Sequence, residues 1–335
     1  DVYKRQESYL HHTQSGNKVL MLHDRLSGGE YHGIFEILTE NHILFDVMEH
    51  WCLGSEEMPR ELSSYELVVL PDIARLSEEQ CALLDQFVAE GGNILATGLP
   101  STQDEIGNPM DKIRLKALGV EAAYEPFDKV QGTYFRIFDR DKEVLGAKTF
   151  QGFDLVYAWE KGMLCEPLES AEAYLGFIPP AMIGPPEKCY YTEVTEIPGL
   201  IHNSYGKGQT ALLTFRLGSI YHHTRHYGHA ALIMTMLNTL LDFRPDLHLD
   251  DSPMVEVTRQ MDPNKDFEWY GLLNHTGQLG NAFFKPVPLY ETSLRVKPQM
   301  AVKSVKSLKG GQTLNFELKE DGWIQVLLPE LTSYD

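Results

Sequence analysis

Apolar positions in the first hundred residues fall in short continuous runs, separated by stretches with a helical period. Residues 18–23 (KVLMLH) are largely apolar, as expected of a strand buried on both faces. Gly28 and Gly29 interrupt that run, and residues 30–42 place Ile34, Ile37 and Leu38 at helical spacing. Residues 43–48 (ILFDVM) predict a second strand. Residues 66–70 (ELVVL) predict a third, stopped by Pro71 and Asp72. Ser77 and Gln80 form a capping-box pair, Cys81, Leu84, Phe87 and Val88 share one helix face, and Gly91-Gly92 ends the helix. Residues 93–97 (NILAT) predict a fourth strand. Strands alternating with helices through short connections imply a doubly wound, mainly parallel sheet.

The pattern then changes. Residues 100–109 predict a loop, 111–118 a short helix, and 120–198 an irregular, partly β insert rich in aromatics, proline and glycine. Tyr157, Trp159, Tyr174 and Phe177 are its expected packing residues. Residues 199–205 and 209–215 predict paired strands around a Gly206-Lys207-Gly208 turn. A helix over 226–242 would face Ala230, Ile233, Met234, Leu237 and Leu241 to the core. Pro245 and Pro253 bracket an expected linker. Beyond Met254 only short strand patterns remain (VEVTRQ, FEWYGLLNHT, SLRVKP, VKSVKSL, TLNFELK, WIQVLLP), which predicts a small antiparallel β-sandwich. The expected division is therefore 1–16 as a terminal segment outside the fold, 17–250 as an α/β domain with its insert, and 251–335 as the β-sandwich.

Composition narrows the partners. With 43% apolar residues the chain can bury a sizeable core. Its formal charge of −19 argues against a nucleic-acid partner, which needs clustered Lys and Arg. No apolar run reaches the length of a membrane span, so no membrane partner is expected and a cytoplasmic location is. Cys52, Cys81, Cys165 and Cys189 are far apart and form no CxxC pair, so no zinc or redox motif is expected, and Cys81 reads as a small core residue. The first six residues, DVYKRQ, are the translation of GAT GTG TAT AAG AGA CAG, the end of a transposase adapter used for sequencing libraries. We therefore expect the natural coding region to extend upstream.

Chemistry is harder to find. An activated nucleophile belongs on the turn after the fourth strand, where the chain reads Thr97-Gly98-Leu99-Pro100-Ser101. No cysteine is there, Pro100 would distort the turn, and Ser101 lacks a G-x-S-x-G setting. Open α/β sheets bind ligands beyond their C-terminal strand ends. Asp24, Arg25, Asp72 and Ser101 are thus candidate ligand-binding residues. His222, His223, His226 and His229 form a second candidate surface with Tyr221, Arg225 and Tyr227. His222 and His226 are four apart, a spacing that binds metal on a helix, yet no Glu or Cys completes the set. The plainer reading is a polar helix entry packed on a neighbour or subunit. Residues 104–108 (DEIGN) are faintly like a calcium loop but lack its twelve-residue pattern. Aromatics at Tyr157–Trp159 and Tyr190–Tyr191 could stack on sugar rings or simply pack the insert. With 48 acidic residues, no catalytic carboxylate pair can be chosen from sequence.

Several segments share one resemblance. Residues 31–38 (YHGIFEIL) followed by Phe45-Asp46-Val47 resemble the "Y-x-G-x-x-x-x-L … F-D-V" opening of the glutamine-amidotransferase-like domain of family 42 β-galactosidases. Residues 65–72, then Leu76-Ser77, Gly91-Gly92 and Ala96-Thr97, are similar to that domain's next run. Tyr205-Gly206-Lys207-Gly208 is similar to its closing strand pair. Leu272 to Gly277 (LLNHTG) resembles the "L-x-N-x-T-G" of the small C-terminal domain. The hypothetical glycosyl hydrolase 6 group is similar as well. The resemblance spans most of residues 17–333. It implies a flavodoxin-like, class I glutamine-amidotransferase-like fold of the β-galactosidase trimerisation type, followed by the β-sandwich. It further implies a bacterial glycoside hydrolase as parent, a homo-oligomer such as a trimer, and catalytic carboxylates in an upstream barrel that acts on the carbohydrate substrate. A similar aromatic and histidine stretch occurs at the His222–His229 position of such domains. No catalytic residue, cofactor or metal is then expected in this segment, which would be structural. A small-ligand or carbohydrate-binding α/β module and a free-standing hydrolase are the competing readings.

Overall fold

The apolar runs become the central strands of a nine-stranded sheet because they carry side chains that bury on both faces. In the computed structural model, residues 13–128, 133–146, 150, 152–180, 184–185, 187, 190–191, 193–250 and 252–333 are described. The terminal segment before Thr13 and Cys189 lie outside them. The strands are β1 (Val19–His23), β2 (Phe45–Glu49), β3 (Leu67–Pro71), β4 (Asn93–Thr97), β5 (Val120–Phe127), β6 (Tyr134–Arg136), β7 (Leu155–Tyr157), β8 (Gly162–Pro167), β9 (Glu172–Ile178), β10 (Pro198–Tyr205) and β11 (Gly208–Leu213). The order across the large sheet is β2-β1-β3-β4-β11-β10-β9-β6-β7. The pairs β1–β3, β3–β4 and β4–β11 are parallel. Those from β11 through β10, β9 and β6 to β7 are antiparallel. The fold is therefore mixed α/β.

Among the described residues the α-helices are α1 (Gly29–Glu40), α2 (Glu78–Glu90), α3 (Asp139–Leu145), α4 (Leu217–Thr224) and α5 (Tyr227–Thr235). Helix α2 begins as its sequence requires. The Ser77 hydroxyl accepts from Gln80 N–H, the Gln80 side chain accepts from Ser77 N–H, and Gly91 closes the helix at φ +121°. Its Cys81, Leu84, Phe87 and Val88 pack with Leu20, Leu22, Val68, Leu70, Ile94 and Leu212 of the sheet in one core.

By contact the chain forms two compact units. One is Lys18–Ile37 with Val47–Phe243. The other gathers the described part of Asp1–Asn17 with Leu38–Asp46 and Arg244–Asp335. In the second unit, β12 (Leu247–Asp250), β13 (Val255–Met261), β14 (Glu268–Asn274), β15 (Gln278–Leu279), β16 (Ala282–Phe283), β17 (Leu289–Val296), β18 (Val305–Lys306), β19 (Thr313–Leu314), β20 (Phe316–Leu318) and β21 (Ile324–Leu331) are all short or antiparallel. A four-stranded sheet, β12-β17-β21-β20, and the β13–β14 ribbon contribute to one apolar core that includes Leu249, Val257, Leu272, Leu294 and Val326.

Four expectations need correction. Part of the insert expected to be irregular is regular sheet, since β9, β6 and β7 continue the main sheet. Residues 111–118 form only a 3-10 turn, Lys116–Leu118. Amide N–H groups that a helix would use are taken from outside: Leu115 N–H donates to Ser101 Oγ and Ala117 N–H to Asp85 Oδ1. The stretch between Pro245 and Pro253 is no free linker, because β12 pairs with β17 there. Finally, the helix expected over 226–242 is preceded by α4, and Arg225 between α4 and α5 is left-handed at φ 53°. Past Thr235 the chain continues as a π-helical turn, Met236–Leu240.

Candidate functional site

Parallel pairing brings the C-terminal ends of β1, β3, β4 and β11 to one edge of the sheet, the edge at which open α/β sheets bind ligands. Asp24 follows β1, Asp72 follows β3, Gly98 follows β4, and Arg216 lies just past β11. Glu30 enters from the first turn of α1. These side chains form one network in the larger unit. Arg75 reaches both oxygens of Asp24, at 2.6 and 3.0 Å. Arg216 Nε lies 3.3 Å from Asp72 Oδ2, and its terminal nitrogen donates to the Ser27 carbonyl. Leu99 N–H donates to Asp72 Oδ1 at 2.8 Å. Gly98 is required beside it: at φ +73° its Cβ would sit 2.3 Å from Asp72 Oδ1.

The electrostatics follow from this packing. Burial raises the Asp24 carboxyl, but the Arg75 hydrogen bond, the Leu26 N–H and the nearby His50 and Arg75 charges together hold it below the usual carboxylate range. Burial dominates at Asp72 and, despite Arg216 and the Leu99 N–H, pushes its carboxyl up to about 6. Burial also pushes Glu30 up to about 7, against the Thr97 hydroxyl, the Ser219 N–H and Arg216, with Asp72 adding repulsion. Carboxyls raised in this way often mark acid–base catalysts. Of the two, Glu30 is sealed at 0% exposed, while the Asp72 side chain is 12% exposed and held by Arg216. A group that substrate cannot touch transfers no proton to it. The network instead locks the strand ends together.

Ser101, a candidate ligand-binding residue, faces the protein interior. It is 0% exposed, sits at φ +54°, and its Oγ accepts from Leu115 N–H at 3.1 Å. Arg25 is exposed at the rim. Glu30, Arg75 and Arg216 are the members that sequence reasoning missed. Replacing Arg75 with Ala is expected to lower unfolding free energy by about 3 kcal/mol, since it strands a buried carboxylate. Arg75→Lys should recover only part of that, lacking the two-pronged geometry. Urea denaturation at pH 7 checks both, and a loss below about 0.5 kcal/mol for the Ala variant would show the pair to be dispensable.

The histidines do not act as one set. Because Arg225 breaks the helix, His222 lies on α4 while His226 is the N-cap of α5, and the four-residue spacing is not a helical one. His222 Nδ1 lies 3.1 Å from both oxygens of Glu36, which also accepts from Arg225 at 2.6 Å. His222 stacks on His32, and His223 tilts against Trp159. His226 accepts from Gly228 N–H at 3.2 Å, and its ring centroid is 5.4 Å from that of the buried His229. Among the described residues no three His, Cys, Asp or Glu side chains gather as a metal-ligand group. The Asp104 carboxylate closes its own turn, accepting from Ile106 and Asn108 N–H and from Asn108 Nδ2. Tyr190 and Tyr191 are exposed rather than packed.

Solved structures place this arrangement among known folds. Over 99% of its length the chain superposes on 49% of α-L-fucosidase isoenzyme 2 from Paenibacillus thiaminolyticus, at TM-score 0.72 and 17% identity. It superposes over 98% of its length on 42% of a catalytic mutant of Gan42B, a GH42 β-galactosidase from G. stearothermophilus (TM-score 0.62, 18% identity). The same coverage is found on 43% of the β-galactosidase from Bacillus circulans sp. alkalophilus (0.62, 16%). The likeness is one of fold. This chain spans less than half the length of each of these proteins. No protein-family model matches the sequence, and no curated protein sequence does. No described helix is long and apolar enough to cross a membrane.

Proposed function

We propose that this chain is a structural, oligomerisation segment of a bacterial glycoside hydrolase, and that it performs no catalysis itself. The observation that carries this reading is the full-length superposition on less than half of larger glycosidases. The burial of Asp24, Glu30 and Ser101 supports it, because none of the three can meet a glycosidic bond. On this proposal residues of the larger unit form a flavodoxin-like, amidotransferase-like domain. The order β2-β1-β3-β4-β11, with parallel pairing from β1 to β11, supports that finer assignment. The second unit would be its companion β-sandwich. The parent's carboxylates, on a catalytic barrel elsewhere in the protein, would cleave the sugar, a β-galactoside or an α-L-fucoside by analogy with the solved neighbours. Cys52, Cys81 and Cys165 are free thiols, which supports a reducing, cytoplasmic location.

Two measurements test the proposal. Chromogenic β-galactosides and α-L-fucosides are expected to show no turnover above the buffer blank with this chain, and measurable turnover would end the non-catalytic reading. Sedimentation equilibrium is expected to give a self-associating species, with a trimer as the assembly the resemblance implies. A monomer at all concentrations would remove the oligomerisation role.

A further inference from the structure

The two cores differ in how tightly they close. Leu20, Val68 and Ile94 of the large sheet are 0% exposed. In the smaller unit, Leu272, Leu294, Val296, Ile324, Val326 and Leu328 each keep between 2% and 5%. All six line one cavity of about 550 Å³, whose walls come from residues 265–328 alone. Strand geometry puts them there. Leu294 and Val296 are two apart on β17, as are Ile324, Val326 and Leu328 on β21. Leu294 pairs with Val326 and Val296 with Ile324, so one sheet face forms an aliphatic wall. Leu272 of β14 and, in the loop after β17, Met300 and Val302 add to it.

Polar groups are sorted the other way. Lys265, Asp266, Lys303, Ser304 and Lys306 also line the cavity, and all five are exposed, on its solvent side. The remaining polar side chains of the wall are largely engaged. Glu268 accepts from the Tyr270 hydroxyl and from Gln299 N–H, both at 2.5 Å. Ser307 Oγ accepts from Gly310 N–H at 2.9 Å, and half-buried Trp269 completes the set. Among the described residues no ion pair engages Lys265, Lys303 or Lys306. Residues 292–316 carry Arg295, Lys297, Lys303, Lys306 and Lys309 and no Asp or Glu, in a chain of formal charge −19.

From this sorting we propose that the smaller unit binds an unbranched aliphatic carboxylate of medium length, its tail in the cavity and its head at the lysine rim. A saturated chain asks nothing polar of aliphatic walls, and each methylene it buries adds to affinity. The head calls for a cation, and at the rim the three lysines outnumber the one carboxylate, Asp266. Held there in water, an anionic head avoids the cost of burying a charge. Size fits as well. A cavity of about 150 Å³ accommodates the six carbons of benzene, so this one has room for a chain of roughly ten. The inference depends neither on the non-catalytic reading nor on the parent's substrate.

The experiment is titration calorimetry on the full chain with decanoate, hexanoate, decyltrimethylammonium and galactose, all below micelle-forming concentrations. Decanoate is expected to saturate one site with Kd on the order of 10–100 µM. Hexanoate, four methylenes shorter, should bind on the order of 100-fold more weakly. Decyltrimethylammonium keeps the tail and reverses the head, and should bind at least about tenfold more weakly. Galactose should not compete. The exposed double variant Lys303→Glu, Lys306→Glu should remove the preference for the anion and leave the chain folded. Val326→Phe, which fills the cavity, should abolish binding of both ten-carbon ligands. Should Val326→Phe fail to fold, the chain-length and head-charge series in the unaltered chain still decides. No saturation by decanoate, equal affinity for hexanoate, or equal affinity for the cationic ligand overturns the proposal. So does sedimentation with vesicles of phosphatidylcholine and phosphatidylserine in equal parts without saturable decanoate binding, which would assign the lysines to a membrane surface.

Discussion

Replacing Gly33 with alanine is expected to destabilise the larger unit by about 3–5 kcal/mol, although alanine is the better helix former. Gly33 lies in α1 where the helix crosses α4, and a Cβ there would sit 1.8 Å from the carbonyl oxygen of Gly218 and 2.4 Å from its carbon. Both obstructing atoms are backbone, so no rotamer change relieves the clash and the helices must separate. Gly218 meets the same constraint from the other side, 2.5 Å from the Glu30 carbonyl oxygen. Separating the helices would also pull Ser219 N–H from the Glu30 carboxyl it now meets at 2.8 Å. The intrinsic gain of alanine in a helix, about 1 kcal/mol, is too small to compensate. Gly28→Ala is the control: it sits at φ +49° with no atom within 4 Å, so only backbone strain of about 1–2 kcal/mol is expected. Urea unfolding of the three chains gives the comparison. Because Gly33 and Gly218 share one contact, the double variant should cost less than the two single losses added together. A Gly33→Ala chain as stable as the parent would mean that the two helices are not held at this distance.

Gly33 illustrates what the sequence discloses. Its place in a helical pattern is visible, but the reason for it lies in Gly218, far along the chain. The central strands were legible because a run such as VLML, buried on both faces, has few other uses. The capping box at Ser77 was legible because both partners lie within three residues. The 3-10 turn at Lys116 was not, since the groups that claim its amides come from Ser101 and Asp85. Likewise, the break at Arg225 separates two stretches that each carry a good helical pattern. At the candidate site, the strand-end rule found Asp24 and Asp72 but not their partners. Arg75 is 51 residues from Asp24, and nothing local to either residue signals the pair. Burial was the least legible property of all. It turned Ser101 from a candidate ligand-binding residue into an acceptor for the chain, and it turned His229 from a surface histidine into a buried, neutral one.

The same burial makes Glu30 a source of pH dependence with a definite sign. Its carboxyl is pushed from an ordinary value of 4.5 up to about 7 in the folded chain. Between those values the native state holds a proton that the unfolded state has released, so stability falls as pH rises through this window and levels off above it. The shift corresponds to about 3 kcal/mol at full effect. Glu30→Gln mimics the protonated carboxyl: its amide oxygen can still accept from Ser219 N–H, and its NH₂ can face the Thr97 hydroxyl. The variant should therefore match the parent near pH 4.5 and exceed it by up to about 3 kcal/mol at pH 8. Asp72, raised from 3.8 to about 6, produces a similar fall at lower pH in both chains and so largely cancels from the difference. Exposed carboxylates cancel in the same way. The α1 dipole favours the ionised form, which would trim the gain without reversing it. Chemical denaturation of both chains at half-unit steps from pH 4.5 to 8 measures the difference directly. Parallel curves would show that Glu30 ionises freely, and a less stable Glu30→Gln chain at pH 8 would show that its negative charge is needed beside Arg216.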